Sequence, residues 1–346
     1  MKHNTIANTD LAVSELGFGA ASLGNLYRAI SDETSRSAMH AALAAGINQF
    51  DTAPHYGQGL SERRVGDALR ELDANDYILS TKVGRILEPC PKAEDKYGFC
   101  SPMPFEPVFD YSYDGIMRSF EHSLQRLGLS KIDIIYMHDI GRVTHGDDHD
   151  RLFKIAMEGG YKAMDELRSQ GAVSAIGLGV NEYQVCEQAM DHGYFNCFLL
   201  AGRYTLLEQQ ALATFLPRCE KENSSIILGG PYNSGILATG TRREGDVPNY
   251  NYEPAPQAII NRVRKIEQLC DEFSVPLATA ALQFPLAHPA VVNVIPGLSS
   301  ASRVKTAVAQ MEADIPLEFW QSLRDQSLIH PDAPIPGSIP SEPASV

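Results

Sequence analysis

The chain has 346 residues, long enough for one large α/β barrel or two average domains. Its 43 acidic against 29 basic residues leave a formal charge of −14, which argues against a nucleic-acid backbone or an anionic membrane surface as partner. No apolar run approaches the ~18 residues of a spanning helix. The N-terminus MKHNTIANTD has no signal-peptide core and the six cysteines lack CxxC spacing, so a reduced, cytoplasmic protein is expected.

Short apolar runs recur at LGFGA (16–20), INQF (47–50), YILSTKV (77–83), IDIIYMH (132–138), AIGLGV (175–180), CFLLAG (197–202), SIILGG (225–230) and VVNVIPG (291–297). Most intervals carry helical patterning. Ala38, Ala41, Ala42 and Ala45 share one face ahead of Gly46, Glu62 to Leu72 reads as a second helix, and Ile116, Phe120, Leu124 and Leu127 line a third ahead of Gly128. Strands buried on both faces and alternating with helices imply a parallel sheet. Eight such units favour a closed (β/α)8 TIM barrel over an open doubly wound sheet. No linker divides the chain, so residues 1–330 are read as one catalytic barrel domain. The last 16 residues, 331–346, contain five prolines and are read as a tail. The interval 84–111 is too long for a simple connection and is expected to shape a substrate pocket.

Three motifs fail on inspection. Gly17 to Ser22 approaches the dinucleotide fingerprint GxGxxG, but its third glycine is missing. Gly141 to Gly146 has P-loop spacing, yet Asp147 stands where the lysine must be and would repel phosphate. His145 and His149 bracket two aspartates, but that glycine-broken acidic run reads as a solvated loop, and no metal is expected.

The strand ends are more informative. In a parallel barrel the C-terminal strand ends converge on one face, where barrel chemistry sits. The second strand delivers Asp51 and, on its loop, Tyr56; the third delivers Lys82 and the fourth His138. Singly, these are a helix cap, a packing group, a solvated lysine and a core histidine. Together they fit one mechanism. A phenol with a reference pKa near ~10 is a poor base at neutral pH. An adjacent ammonium, Lys82, favours the phenolate, and Asp51 supplies the partner that a buried lysine needs. His138 can orient a substrate oxygen. The set can take a proton from an alcohol while hydride leaves its carbon.

Asp51, Tyr56, Lys82 and His138, in the settings INQFDTAPHYG and STKVG, resemble the aldo-keto reductase family over residues 10 to 315. The resemblance implies a (β/α)8 barrel, a dinucleotide across its upper face, Tyr56 as acid/base and no metal. It implies cofactor contacts from Gly19, Asp51, Asn181, Arg203, Tyr204, Gly230, Asn233, Gly235, Leu237, Pro296, Gly297 and Arg303. Substrate contacts are expected from Tyr27, Tyr56, His138, Phe109 and Arg203. The family's usual serine before Asn181 is replaced by Val180, and the tyrosine that usually stacks on nicotinamide aligns with Gly229. After the eighth strand, IPGLSSASRV lacks the lysine that commonly meets the adenosine 2′-phosphate. Gly297 stands there while Arg303 remains, so NAD is expected over NADP.

Longer segments, SERRVGDALR, LLAGRYTLLEQ and GGPYNSGILATG among them, resemble a branch of the family that couples to NAD and oxidises ring carbinols. The expected reaction is oxidation of the anomeric carbon of a free aldose such as L-fucose to the lactone, with pyridoxal as competitor. A rim of His55, His138, Arg203, Tyr204 and Asn233, where reductases of greasy carbonyls carry tryptophan, suits a polyol. An NADPH-dependent carbonyl reductase and a non-catalytic dinucleotide sensor are the rival classes. The oligomeric state is left open.

Overall fold

The computed structural model describes residues 1–91, 94–242 and 247–337. Its centre is an eight-stranded parallel sheet of β1 (Phe18–Gly19), β2 (Gln49–Asp51), β3 (Ile78–Val83), β4 (Ile134–His138), β5 (Ala175–Val180), β6 (Cys197–Ala201), β7 (Ser225–Gly229) and β8 (Val291–Ile295). Each lies within or beside one of the eight apolar runs, and they pair in chain order. Parallel bridges between Leu16 and Val294 and between Gly19 and Gly297 join β1 to β8, completing the expected (β/α)8 TIM barrel. The Gly17 amide donates to the Val294 carbonyl at 2.9 Å across that seam.

Alternation along each strand divides the interior into two layers. Leu79, Val83, Ile135, Met137, Ile176 and Leu178 face the surrounding helices, in one apolar cluster with Ile116 and Phe120. Ile78, Ile134, Tyr136, Ala175 and Cys197 form a second cluster inside the barrel. An N-terminal hairpin, His3–Thr5 with Ala12–Ser14, brings Ile6 and Val13 into that inner cluster and plugs the N-terminal end of the barrel. The opposite end, where the strands finish, is left for polar side chains.

Local chemistry sets the helices. Ser31 caps Asp32–Ala44 by accepting from the Thr34 amide, and Ser112 caps Tyr113–Leu127 by accepting from the Gly115 amide. Gly128, at φ +64°, ends the latter helix. The helix expected over 62–72 spans Leu60–Leu69. The interval 84–111 holds an antiparallel hairpin, Arg85–Pro89 with Phe105–Phe109. Residues 331–337 lie against the body: Ala333 is fully buried and its carbonyl accepts from Arg324 Nη2 at 2.7 Å. The remainder of the proline-rich tail lies outside the described residues. Among the described residues, no helix is long and apolar enough to cross a membrane.

Candidate active site

Period-two alternation turns Gln49 and Asp51 of β2, Ser80 and Lys82 of β3, and His138 of β4 into the barrel. The hydrogen bonds bear this out, since Gln49 Nε2 donates to Ser80 Oγ and Ser80 Oγ to Asp51 Oδ1. Lys82 Nζ lies 2.7 Å from Asp51 Oδ2 and donates to the Thr52 carbonyl at 2.9 Å. Both charged side chains are buried. The ammonium also stands 4.5 Å from the centroid of the Tyr56 ring. The rings of Tyr56 and His138 meet edge to face with centroids 6.2 Å apart. The four residues read from three separate stretches of sequence therefore surround one point.

Tyr56 is set by backbone. Gly57 adopts φ +62°, and a Cβ there would lie 2.4 Å from the Gly24 carbonyl oxygen. The two loops can touch only because both residues are glycine. The Gly57 carbonyl accepts from the Met103 amide at 3.0 Å, which ties the Tyr56 loop to the segment after β3.

Burial dominates the electrostatics. It pushes the Tyr56 phenol above its ordinary pKa, with Lys82 pulling down and Asp51 and Asp139 pushing up. The expected net lowering by Lys82 is therefore not what results, because desolvation of a phenolate outweighs one ammonium that already has a carboxylate partner. Burial pulls Lys82 down as well, but Asp51 and Tyr56 more than reverse it and the ammonium is held. Asp51 is raised by burial against the pull of Lys82 and Ser80. Burial, with Arg85 and Lys82 beside it, holds His138 well below the usual imidazole range, and His55 is brought to about 3 for the same reasons. Both imidazoles are neutral at physiological pH.

Two cavities open at this rim. The smaller, about 390 Å³, lies over Tyr56, Lys82, His138 and Asp139 and has Tyr27, Tyr97, Phe99 and Tyr252 among its walls. The larger, about 470 Å³, runs across the strand ends from Gly19 and Asp51 to Arg303. They share Tyr27, Tyr56, Asn181 and Tyr252.

Most of the expected cofactor residues face the larger cavity: Gly19, Asp51, Asn181, Arg203, Gly230, Asn233, Gly235, Gly297 and Arg303. Three do not. Tyr204 is fully buried, tilted against Phe284 and edge-on to His288. Leu237 is fully buried in the core, and the Pro296 carbonyl accepts from the Gly19 amide in the barrel seam. Of the expected substrate residues, Tyr27, Tyr56 and His138 line the smaller cavity. Arg203 lies only on the larger, its Nε donating to the Asn181 carbonyl at 2.5 Å. Phe109 lines neither, because its ring covers the Arg85 guanidinium at 4.6 Å.

The polar rim expected for a polyol is reduced accordingly. Asn233 is used internally, donating to the Gly202 carbonyl and accepting from Thr205 Oγ1, so only His55 and His138 of that rim reach the smaller cavity. Tyr97, Tyr252 and Asp139 also line the smaller cavity, with Arg85 paired to Asp139, and none was among the expected residues. Asp139 could have been found by the argument that found Asp51, as a carboxylate at a strand end. Tyr97 and Tyr252 lie in irregular segments without periodicity. His145 and His149 are occupied by Tyr111 Oη and by the Ile140 carbonyl and Gln188.

Residues 15–327 match the Aldo/keto reductase family, and the chain belongs to it. It is an oxidoreductase that acts on CH–OH groups and uses a nicotinamide dinucleotide. Among characterised relatives it is 42% identical over 335 residues to pyridoxal 4-dehydrogenase of Microbacterium luteolum, covering 94% of this chain and 97% of the relative. It is 36% identical to D-threo-aldose 1-dehydrogenase of a Pseudomonas species, covering 93% and 97%. Among solved structures, the holo form of an aldo-keto reductase from Bacillus halodurans superposes with a TM-score of 0.72 at 28% identity, covering 95% of this chain and 96% of that one.

The larger cavity fits a dinucleotide. Gly202, Gly229, Gly230 and Gly297 give its wall bare backbone, and a Cβ on Gly297 would meet nothing within 4 Å. Arg203 and Arg303 supply cations along it.

The ion pair makes one thermodynamic expectation. Asp51→Ala leaves the Lys82 ammonium buried without its partner and should cost roughly 3–5 kcal/mol of stability. Asp51→Ala with Lys82→Met should recover most of that loss, measured by denaturant unfolding as a double-mutant cycle. Additive losses in the double variant would mean that the two charges do not depend on each other.

Proposed function

We propose that the protein oxidises the hemiacetal carbon of a cyclic substrate to a lactone with NAD as hydride acceptor, and that pyridoxal is its best substrate. The observation that carries this reading is the smaller cavity: Tyr27, Tyr97, Phe99 and Tyr252 present aromatic surface above Tyr56 and His138. A flat aromatic ring is matched by such walls. Of the rim residues expected to serve a polyol, only His55 and His138 reach this cavity, and a hydroxyl left without a partner costs roughly 1–3 kcal/mol. The 42% identity to a pyridoxal 4-dehydrogenase points the same way. A free aldose such as L-fucose is the second reading, favoured by the 36% identity to a D-threo-aldose 1-dehydrogenase.

In this reading Tyr56 removes the proton of the hemiacetal hydroxyl, a group more acidic than an ordinary alcohol. His138, neutral and fixed edge-on to Tyr56, orients the same oxygen. Lys82 stabilises the phenolate form of Tyr56 that acts as the base, and Asp51 keeps Lys82 in place and charged. Asn181, on the wall common to both cavities, is suited to hold the nicotinamide carboxamide. The dinucleotide, when bound, supplies the hydride acceptor. Arg303 is left to the adenosine end, with Gly297 in place of a second cation. Loss of a cation removes charge-assisted hydrogen bonds from a 2′-phosphate and nothing from a bare ribose, which supports NAD over NADP.

Three measurements test these assignments. Tyr56→Phe should bind NADH normally and lose roughly 10²–10⁴-fold in turnover. Because burial holds the phenol's pKa high, wild-type oxidation should quicken as pH rises; a variant with half the native rate would remove Tyr56 from the chemistry. Steady-state kinetics with pyridoxal, L-fucose, D-arabinose and L-galactose should rank pyridoxal first by at least roughly tenfold in kcat/KM, about 1.4 kcal/mol of transition-state preference. A sugar ranking first would replace pyridoxal as substrate and keep the hemiacetal chemistry. Comparison of NAD with NADP should favour NAD, and Gly297→Lys should move the preference toward NADP; equal kcat/KM with both cofactors would contradict the assignment.

A further inference from the structure

Asp139 follows the last residue of β4 and stands outside the four-residue set. Its backbone is left-handed, φ +51°, an uncommon conformation for a residue other than glycine. Neighbours enforce it. The Asp139 amide donates to the Gly179 carbonyl at 3.0 Å, and the Tyr111 hydroxyl donates to the carbonyls of His138 and Asp139 at 2.7 and 3.2 Å. The turn brings the carboxylate, 12% exposed, to the wall of the smaller cavity.

There it meets three groups. Arg85, buried beneath the Phe109 ring, forms an ion pair with Oδ2. His138 Nε2 lies 3.4 Å from the same oxygen. Asn181 Nδ2 donates to Oδ1 at 3.3 Å. A carboxylate only accepts, so the amide of Asn181 must turn its NH2 toward Asp139 and its oxygen away, where the Tyr252 hydroxyl donates to it at 3.4 Å. Nε2 is thus the His138 nitrogen that faces Asp139, while Nδ1 is buried and without a hydrogen-bond partner among the described residues.

We propose that Asp139, locked by Arg85, is a positioning residue of this site: it orients His138 and Asn181 and supplies a second negative charge that opposes ionisation of Tyr56. The proposal rests on the role given to Tyr56 above. The groups around that phenol are Lys82 from β3, Asp51 from β2, His138 from the end of β4, Asp139 just after it, His55 from the Tyr56 loop against His138, and Tyr252 from the hairpin of Asn249–Tyr250 with Glu253–Pro254. The two imidazoles are neutral, so Lys82 with Asp51 and Arg85 with Asp139 fix the local charge. Each ammonium or guanidinium has one carboxylate. Removing Asp139 alone leaves an excess cation beside the phenol, and removing Arg85 alone leaves an excess anion.

The test is a titration of tyrosinate absorbance without substrate or dinucleotide, taken as the difference between each protein and its Tyr56→Phe counterpart. Asp139→Asn should ionise Tyr56 at lower pH than the wild type, and Arg85→Gln at higher pH. Side chains that merely filled space would shift neither curve, and coincidence of all three curves would overturn the proposal. Should Asp139→Asn not fold, Arg85→Gln decides alone: a shift to higher pH supports the proposal, and no shift or the reverse rejects it. Failure of the underlying reading is seen separately, as native turnover in Tyr56→Phe.

Discussion

A buried ammonium held 2.7 Å from a buried carboxylate is the contact on which the mouth of this barrel depends. Neither charge could be taken from water alone, because desolvation of a single ion costs several kcal/mol even after relaxation. Each is therefore satisfied twice: Asp51 by Lys82 and Ser80, Lys82 by Asp51 and the Thr52 carbonyl. Adjacent parallel strands provide the geometry, since β2 and β3 pair with Asp51 opposite Ser80, and the next inward residue of β3 is Lys82. The pair then fixes what surrounds it. Tyr56 is placed over the ammonium by its glycine-bounded loop, and the phenol is deprived of water by the same walls that desolvate the pair.

Much of this was legible in the residues. Eight short apolar runs marked the strands, because strands buried on both faces have to be continuously apolar. Their places at the C-terminal ends of parallel strands then delivered Asp51, Lys82 and His138 to one rim without knowledge of any contact. The walls were harder to read. Tyr97 and Tyr252 come from irregular segments whose paths depend on long-range contacts, the Tyr27 amide donating to the Gly98 carbonyl and the Tyr252 amide to Ser234 Oγ. Two expected residues are spent elsewhere. Tyr204 lies three residues beyond β6 yet turns down into the core against Phe284, and Phe109 spends its face on Arg85. The net direction of the Tyr56 pKa was out of reach for a different reason. It depends on how completely burial outweighs one ammonium, which residue types alone do not fix.

Two ion pairs of opposite orientation meet near the phenol, Lys82 with Asp51 and Arg85 with Asp139. The arrangement keeps the rim close to neutral while placing charges of both signs near the phenol that must ionise to act as base. Neutral imidazoles at positions 55 and 138 add hydrogen-bonding capacity without adding charge. Tyr27, Tyr97, Phe99 and Tyr252 present aromatic surface above them, Phe99 buried and the three tyrosines open to solvent. A site of this kind suits proton removal from an acidic hydroxyl on a ring that can lie against aromatic walls, and the account joins that proton transfer to departure of hydride from the carbon bearing the hydroxyl.

Isotopic labelling tests that joining most directly. Pyridoxal carrying deuterium on its hemiacetal carbon, turned over with NAD and followed by mass spectrometry of both products, should place the deuterium on the reduced dinucleotide and leave an unlabelled lactone. Deuterium retained in the oxidised product, or lost to solvent, would contradict hydride transfer from that carbon and with it the role assigned to the site.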